Sequence, residues 1–279
     1  MPSINTNVAA IKARSNLDRV QREMDTSIAR LSSGKRITRA HDDAAGSAIA
    51  GRMESQIRGL NMSIRGAKDG QSLVDTQEGA LQEVTALLQR MRELAVQSES
   101  GALADADRDY LQLEVTQLFN EINAISDNTK FNDTRVMTGA AFTFYTDIDV
   151  AGTAITTVEV SASAQNLVTS ISSISIGSGQ VLGSTSGVQA SITKLDTAIA
   201  SVAAMRANLG AVSNRFDHII DNLTNVVANT EAAKSRVEDA DFAVETTQLT
   251  RNTVLQQAAT SMVAQANAQK DTILALIQG

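Results

Sequence analysis

His41-Asp42-Asp43 is the one place in this 279-residue chain where a histidine meets two carboxylates, the side chains from which metal binding or acid–base chemistry could be built. One imidazole with two adjacent acids is too few for either. Successive helical residues point about 100° apart, so Asp42 and Asp43 do not converge on one ion. The spacing instead predicts that they cap and charge the N-terminus of a helix beginning at Ala44. Gly34-Lys35 looks like the end of a phosphate-binding loop. That loop needs a glycine five residues before its last one and a Ser or Thr after the lysine, and Ala29 and Arg36 stand there. Arg30, Lys35, Arg36 and Arg39 could meet nucleic acid, yet no aromatic lies between Met1 and Tyr110 to stack a base, and the net charge is −7. The only other histidine is the distant His218, and there is no cysteine, so zinc sites, thiolate nucleophiles and disulfides have no residues to use. No Gly-x-Ser-x-Gly elbow, dinucleotide fingerprint or paired-histidine helix occurs. The expectation is a protein that is not an enzyme and carries neither cofactor nor metal.

The surrounding elements read as long helices. Aromatic residues make up 3% of the chain, with six Phe, two Tyr and no Trp, which favours thin helices packed side by side over a compact globule. Apolar residues step by three and four through Leu81, Val84, Leu88, Met91 and Ala95, and again through Leu111, Val115, Leu118, Ile122 and Ile125. A longer stripe runs through Val188, Ile192, Leu195, Ile199 and Val202, then Leu209, Phe216, Ile220, Leu223 and Val227. Its mean spacing of about 3.5 is that of a coiled-coil seam. Arg206 and Ser213 occupy two seam positions, where the stripe slips onto Met205 and Val212. Forty residues of helix reach about 60 Å, so a rod is expected. Pro2 is the only proline, leaving helix ends to glycines and caps: Ser32-Ser33-Gly34 and Ser98-Glu99-Ser100-Gly101 look like such interruptions, and Asp105 and Asp107 suit the start of a helix.

Weaker stripes occupy the termini: Leu17, Val20, Met24, Ile28 and Leu31 near the start, and Leu255, Ala259, Met262, Ala266, Ile273 and Leu276 near the end. Interleaved with Ala and Gln, neither supports a stable helix alone, so each needs the other end or another copy of the chain. Residues 252–269 carry no charge, but Gln256, Gln257, Gln265, Asn267 and Gln269 argue against membrane insertion. The N-terminus lacks a basic lead followed by an apolar run, so no cleaved signal peptide is expected. Between Val136 and Thr193 there is no Lys or Arg, which marks a separate module. There Phe142, Phe144, Ile148 and Val150 alternate ahead of Ala151-Gly152-Thr153 and Thr156, Val158 and Val160, a predicted β-hairpin. From Ser161 to Gly187, 11 residues are Ser or Thr, with Gly177, Gly179, Gly183 and Gly187 as turn formers, and short strands and loops are expected. Phe142, Phe144 and Tyr145 are expected to cover one end of the rod.

Beyond this periodicity, Arg30-Leu31-Ser32-Ser33-Gly34 followed by Asp42-Asp43-Ala44-Ala45-Gly46 and Ile49-Ala50 closely resembles the N-terminal region of bacterial flagellins. So does Gln89-Arg90-Met91-Arg92-Glu93-Leu94-Ala95-Val96-Gln97-Ser98. The C-terminal third is similar through Leu209-Gly210-Ala211-Val212 with Asn214-Arg215-Phe216, Ser235-Arg236-Val237-Glu238-Asp239-Ala240-Asp241, Leu255-Gln256-Gln257-Ala258 and Ala264-Gln265-Ala266-Asn267.

The resemblance implies a mainly α, elongated rod of long antiparallel coiled-coil-like helices, with a small β-hairpin region inserted between the N- and C-terminal halves. Residues 1–43 and 236–279 would form the inner-tube domain, 44–135 and 188–235 the rod, and 136–187 a short outer region that leaves the filament surface smooth. It implies a secreted, extracellular structural subunit of the flagellar filament, the helical propeller for motility. Assembly would proceed by self-association of the terminal helices through Leu17, Val20, Met24, Ile28, Leu31, Leu255, Met262, Ile273 and Leu276. A hook-filament junction protein is the alternative. Implied partners are further copies of the chain, an export chaperone and the export apparatus, the filament cap and junction proteins, and the vertebrate innate-immune receptor for flagellin. For that receptor and for packing in the rod, the matching residues are Arg90, Leu94 and Glu114: either Arg90 and Leu94 set a guanidinium beside an apolar knob on one helix face, or Leu94 lies in the core while Arg90 and Glu114 pair across two rod helices, and both can hold. Two further expectations are that the termini are disordered in the monomer and that 136–187 faces solvent and is dispensable for assembly.

Overall fold

The computed structural model describes residues 6–145, 157–177 and 187–278. Along them run α1 (Val8–Ser33), α2 (Ala44–Ser98), α3 (Asp105–Asn128), β1 (Lys130–Phe131), β2 (Thr134–Arg135), β3 (Phe142–Tyr145), β4 (Thr157–Val160), α4 (Ala164–Ile171), α5 (Val188–Glu238) and α6 (Phe242–Gln278). The mainly α, long-helix architecture expected from the sequence is present. The chain divides into two compact units, residues 1–57 with 228–279 and residues 58–227. Those divisions fall inside α2 and α5, at positions that carry no break in the sequence pattern.

The unit 58–227 is built on a strict heptad seam. In α2 every third or fourth residue from Leu60 through Ala67, Val74, Leu81, Leu88 and Ala95 is buried, alternating with Ser63, Gly70, Gln77, Val84, Met91 and Ser98. On α5, Val188, Leu195, Val202, Leu209, Phe216 and Leu223 are buried at intervals of seven, the repeat of a coiled-coil knob. The slip at Arg206 and Ser213 is visible: Met205 and Arg206 share partial burial, as do Val212 and Ser213. Arg206 turns outward to Glu78 of α2, with Nη2 2.6 Å from Oε1. α3 contributes Val115 and Ile122, both at most 2% exposed.

Gly70 opens the seam for aromatic packing. A Cβ there would lie 2.6 Å from Phe216 Cζ and 3.1 Å from Phe144 Cγ. The two rings meet edge to face with centroids 5.9 Å apart. Phe144 and Phe142 therefore pack on the helices as expected, whereas Tyr145 remains 59% exposed. β3 pairs antiparallel with β4 in the register Phe142 to Val160 and Tyr145 to Thr157, the predicted hairpin. Its expected members Ile148, Val150, Ala151-Gly152-Thr153 and Thr156 lie outside the described residues, as do Gly179 and Gly183.

The middle module departs from the sequence reading in two ways. First, it is not simply a solvent-facing appendage: Val136, Met137, Val158, Val160, Ile171 and Ile176 are at most 1% exposed and belong to the helical core. The Ser/Thr-rich composition conceals apolar residues that alternate with it. Buried Gln77 anchors this segment, its Nε2 donating to the Val136 carbonyl at 2.7 Å. Second, the segment contains helix α4, and ahead of it a tight hairpin, β1 with β2, turns on Asn132 and Asp133 at φ 48° and 62°. Both residue types tolerate left-handed backbone, so Asn-Asp between Phe131 and Thr134 was the available signal.

In the other unit, α1 and α6 pair antiparallel, with backbones approaching within 8 Å because their shared seam is rich in small residues. The loop between α1 and α2 is held by the two carboxylates singled out above. Gly34, at φ 71°, closes α1 by donating its N–H to the Arg30 carbonyl. Asp42 Oδ2 accepts from the Thr38 hydroxyl at 2.9 Å and from the Thr38 and Arg39 amides at 3.1 and 3.0 Å. Asp43 Oδ1 accepts from the Gly46 amide at 2.8 Å, capping α2. Gly46 is required because a Cβ would lie 2.4 Å from Asp43 Oδ2 and 2.7 Å from Ile37 Cδ1. The Thr38 hydroxyl, followed by the Arg39 amide, holds the Asp42 carboxyl below the ordinary carboxylate value. A lowered folded value means that the loop gains stability above the ordinary range and loses it as pH falls through the lowered one. Protection of the Thr38 and Arg39 amides, taken relative to the intrinsic exchange rate at each pH, should therefore fall on acidification, and Asp42→Asn should flatten that dependence. Equal acid sensitivity in the Asn variant would disprove it.

Candidate assembly surfaces

The terminal pair has an inner seam and an outer face, and the sequence stripe mixed the two. Facing α6 are Ala10, Ala13, Leu17, Val20, Met24, Ser27 and Leu31, each buried or half-buried. Their counterparts on α6 are Glu245, Leu249, Asn252, Gln256, Ala259, Val263 and Ala266. The two ends thus supply each other's partner within one chain. Of the residues expected to drive assembly, Leu17, Val20, Met24 and Leu31 lie on this inner seam. Ile28 (47% exposed), Leu255 (44%) and Met262 (63%) do not; they lie outside with Val8, Ile11, Val244 and Val254. The side chains of Ile273 and Leu276 are outside the described set. A strict 3–4 step places Ser27 rather than Ile28, and Gln256 rather than Leu255, on the seam, because polar residues hold seam positions there. Reading apolar type alone merged the two faces into one stripe.

On the outer face of α6, Thr246, Thr247, Thr250, Arg251, Val254 and Leu255 line a shallow depression of about 540 Å³. Thr246, Thr247, Thr250 and Thr253 each return their hydroxyl to a backbone carbonyl of the preceding turn. Their methyl groups are then what the helix offers outward, and the surface is more apolar than its composition.

The second surface lies on α2 and α3. Arg90 is the centre of a charged cluster: Nε and Nη2 reach Glu114 Oε1 at 2.9 and 2.8 Å, and Nη1 reaches Glu93 Oε2 at 3.2 Å. Glu114 first and Glu93 second raise the guanidinium still further above its ordinary value, so it is charged at every accessible pH. Arg90 and Glu114 are brought together as the sequence implied. Leu94 is not their exposed apolar neighbour: at 1% exposure it is a core residue, one turn from Arg90 but rotated onto the bundle side. The apolar groups on the outside are Val96, Tyr110 and Leu113, at 50%, 70% and 63% exposure. α3 enters this surface from a start at which the Asp107 carboxylate accepts from the Ala104 amide at 3.3 Å, with Asp105 and Asp107 both in the first turn.

No group of three or more potential metal ligands occurs among the described residues, and none of the described helices is long and apolar enough to cross a membrane. The residues present make helix-to-helix surfaces, and comparison with known proteins gives the same reading. The bacterial flagellin N-terminal helical region matches residues 4–141, and the C-terminal helical region matches residues 192–277. A flagellin of Halalkalibacterium halodurans is 38% identical over 99% of both chains, and a flagellin of Bacillus subtilis is 35% identical over 99% of both. Among solved structures, a flagellar hook-associated protein from Vibrio parahaemolyticus superposes with a TM-score of 0.62, covering 71% of this chain and all of that one; at 14% identity that likeness is one of fold alone. With both helical regions matched and full-length relatives above 30% identity, this chain belongs to the bacterial flagellin family and is a structural subunit of the flagellar filament.

Proposed function

We propose that the chain polymerises through its α1/α6 pair, with residues 1–43 and 236–279 lining the inside of the filament, 44–135 and 188–235 the shell around it, and 136–187 outermost. The observation that carries this is the outer face of the pair. Val8, Ile11, Ile28, Val254, Leu255 and Met262 stay exposed after α1 and α6 have covered each other, and apolar area left open on a paired element is area for another copy. Leu17, Val20, Met24 and Leu31 support that face from beneath, and Ile273 and Leu276 continue the same helix. Adding purified chain to short filament seeds tests the reading. Elongation seen by electron microscopy is the expected result; attachment without growth would favour a junction protein instead.

The chain is further read as exported to the outside of the cell, in the company of an export chaperone, the export apparatus, and the cap and junction proteins. The terminal pair is read as disordered in the free monomer, since its seam is poor in large side chains, and as ordered once a neighbour covers it. Hydrogen exchange on monomer and filament should show protection of α1 and α6 in the filament only.

For Arg90 and Glu114 the reading is a shared surface, used between rod domains in the filament and by the vertebrate innate-immune receptor in the monomer, with Leu94 setting the helix position from the core. The carrying feature is the Glu114 carboxylate, which stays 43% exposed while paired with Arg90, on the helix that also exposes Tyr110 and Leu113. Arg90→Ala is expected to slow seed elongation and to weaken receptor signalling by the monomer while changing the melting temperature little, because the pair is exposed. Unchanged signalling and unchanged growth in that variant would rule the surface out.

A further inference from the structure

Two repetitive seams face each other in the terminal pair. Ala13, Leu17 and Val20 on α1 and Ala259, Val263 and Ala266 on α6 are small or medium apolar residues at heptad spacing. A slip of one heptad, about 10 Å along the axis, would set seam against seam again. Apolar packing of this kind discriminates poorly between registers.

The structure nevertheless has one register. Gly34 accepts from the Ala240 amide at 3.0 Å, Arg30 lies against Glu245, Gln21 bonds Gln256 at 3.0 Å, and Asn7 bonds the Ala266 carbonyl at 2.9 Å, so that contacts at both ends and in the middle belong to one antiparallel pairing. Two features break the repetition. One is the clasp beside the helix ends, where the Arg36 amide donates to the Glu238 carbonyl at 2.7 Å and Lys35 meets the Glu238 carboxylate at 2.6 Å. Lys35 is half-exposed there, so water competes for its ion pair. The other is inside the seam. Glu245 is 6% exposed, its Oε2 is 3.7 Å from Arg30 Nη1, and neither Glu245 Oε1 nor Arg30 Nε has a hydrogen-bond partner. The pair is held by charge rather than by hydrogen-bond geometry, which makes it a weak source of stability. After a one-heptad slip, Arg30 would come to Asn252 or to Glu238 at the end of α5, while Glu245 would come to Ile37 or Glu23 and be buried without its cation.

We propose that Arg30 and Glu245 are a register lock: a buried carboxylate with a half-buried cation beside it, which makes every slipped pairing of α1 with α6 unfavourable, so that each copy presents the same outer face. This rests on the assembly reading, in which the pair is ordered once a neighbour covers it, and goes beyond it by naming what fixes the pairing within each chain.

The absence of cysteine allows a direct test on the full chain grown onto filament seeds, where the pair is ordered. Gln21→Cys is combined in turn with Gln256→Cys, the observed register, and with Leu249→Cys or Val263→Cys, one heptad to either side. A short bis-maleimide then closes intramolecular pairs, which are separated from intermolecular ones by gel mobility. In the parent only the Gln21/Gln256 combination should close. In Arg30→Met/Glu245→Met, which removes both charges and keeps the volume, helicity should be retained while slipped products rise about tenfold relative to the in-register one. Glu245→Gln, which leaves Arg30 without its anion, should fall between. Closure of the in-register pair alone in the double-Met background would overturn the proposal, since the clasp would then set the register unaided. Loss of all three cross-links would overturn it too, because the ion pair would be holding the helices together rather than choosing between their pairings. Seed elongation by the same variants is scored separately; a register that slips while growth continues would refute only the need for identical faces.

Discussion

Deleting residues 255–279 is expected to abolish filament growth while leaving the unit 58–227 folded. The deletion removes Gln256, Ala259, Val263 and Ala266, and with them the hydrogen bonds to Gln21 and Asn7, so the N-terminal half of α1 loses its partner. A helix of that length with four of its seven seam positions uncovered is marginal in water. The deletion also removes Leu255 and Met262 from the outer face, so a second copy would find neither the shape nor the apolar area. Nothing in the unit 58–227 is touched, since its core is drawn from α2 to α5. Circular dichroism should therefore show a cooperative melt close to the parent's, with less helix in proportion to the residues removed. Truncated chains that still elongate seeds, or a unit 58–227 that no longer melts cooperatively, would contradict the assignment of assembly to the ends.

Phe216→Ala should be the most destabilising single substitution in the unit 58–227. The ring is fully buried at a heptad position of α5, fills the space left by Gly70 and packs edge to face on Phe144. Truncation of such a residue costs about 3–5 kcal/mol, which for a unit of this size lowers the melting temperature on the order of 10 °C. The complementary substitution gives the sign an independent check. Gly70→Ala gains up to about 1 kcal/mol of helix propensity, but its Cβ would sit 2.6 Å from a ring that is enclosed on all sides, and overpacking of about 1–3 kcal/mol wins. At Gly79, on the same helix, a Cβ would meet nothing within 4 Å, so Gly79→Ala should stabilise by about 1 kcal/mol. If thermal denaturation ranks Gly70→Ala above Gly79→Ala, the aromatic cluster is not packed as described.

Both expectations depend on features that the sequence disclosed unevenly. The long helices were legible because apolar side chains at a 3.5-residue period leave only one way to bury them together, and residues such as Leu81, Val84, Leu88 and Leu195 stand out against charged neighbours. The slip at Arg206 was legible for the same reason, as was the capping role of Asp43, because a carboxylate three residues before a glycine in the first turn has one good use. The charge-paired Arg90 and Glu114 came from the motifs of the resemblance rather than from spacing, since their meeting joins two helices.

Type and period could not decide faces where polar residues occupy seam positions. Glu245, Asn252 and Ser27 are buried because the opposing helix is there, and their own chemistry argues for water, so the sequence pointed to Leu255, Met262 and Ile28 instead. Leu94 was open between an apolar knob beside Arg90 and a core position, and the bundle buries it. In the middle segment, Ser and Thr masked Val136, Met137, Ile171 and Ile176, whose burial follows from the docking of Val136 on Gln77. The sequence by itself determined that this protein is made of long heptad-patterned helices whose ends need partners, because periodicity is a one-dimensional property. Only the tertiary structure decided which side of each terminal helix is inside and which is left exposed, because burial of a charge or an amide is set by what packs against it.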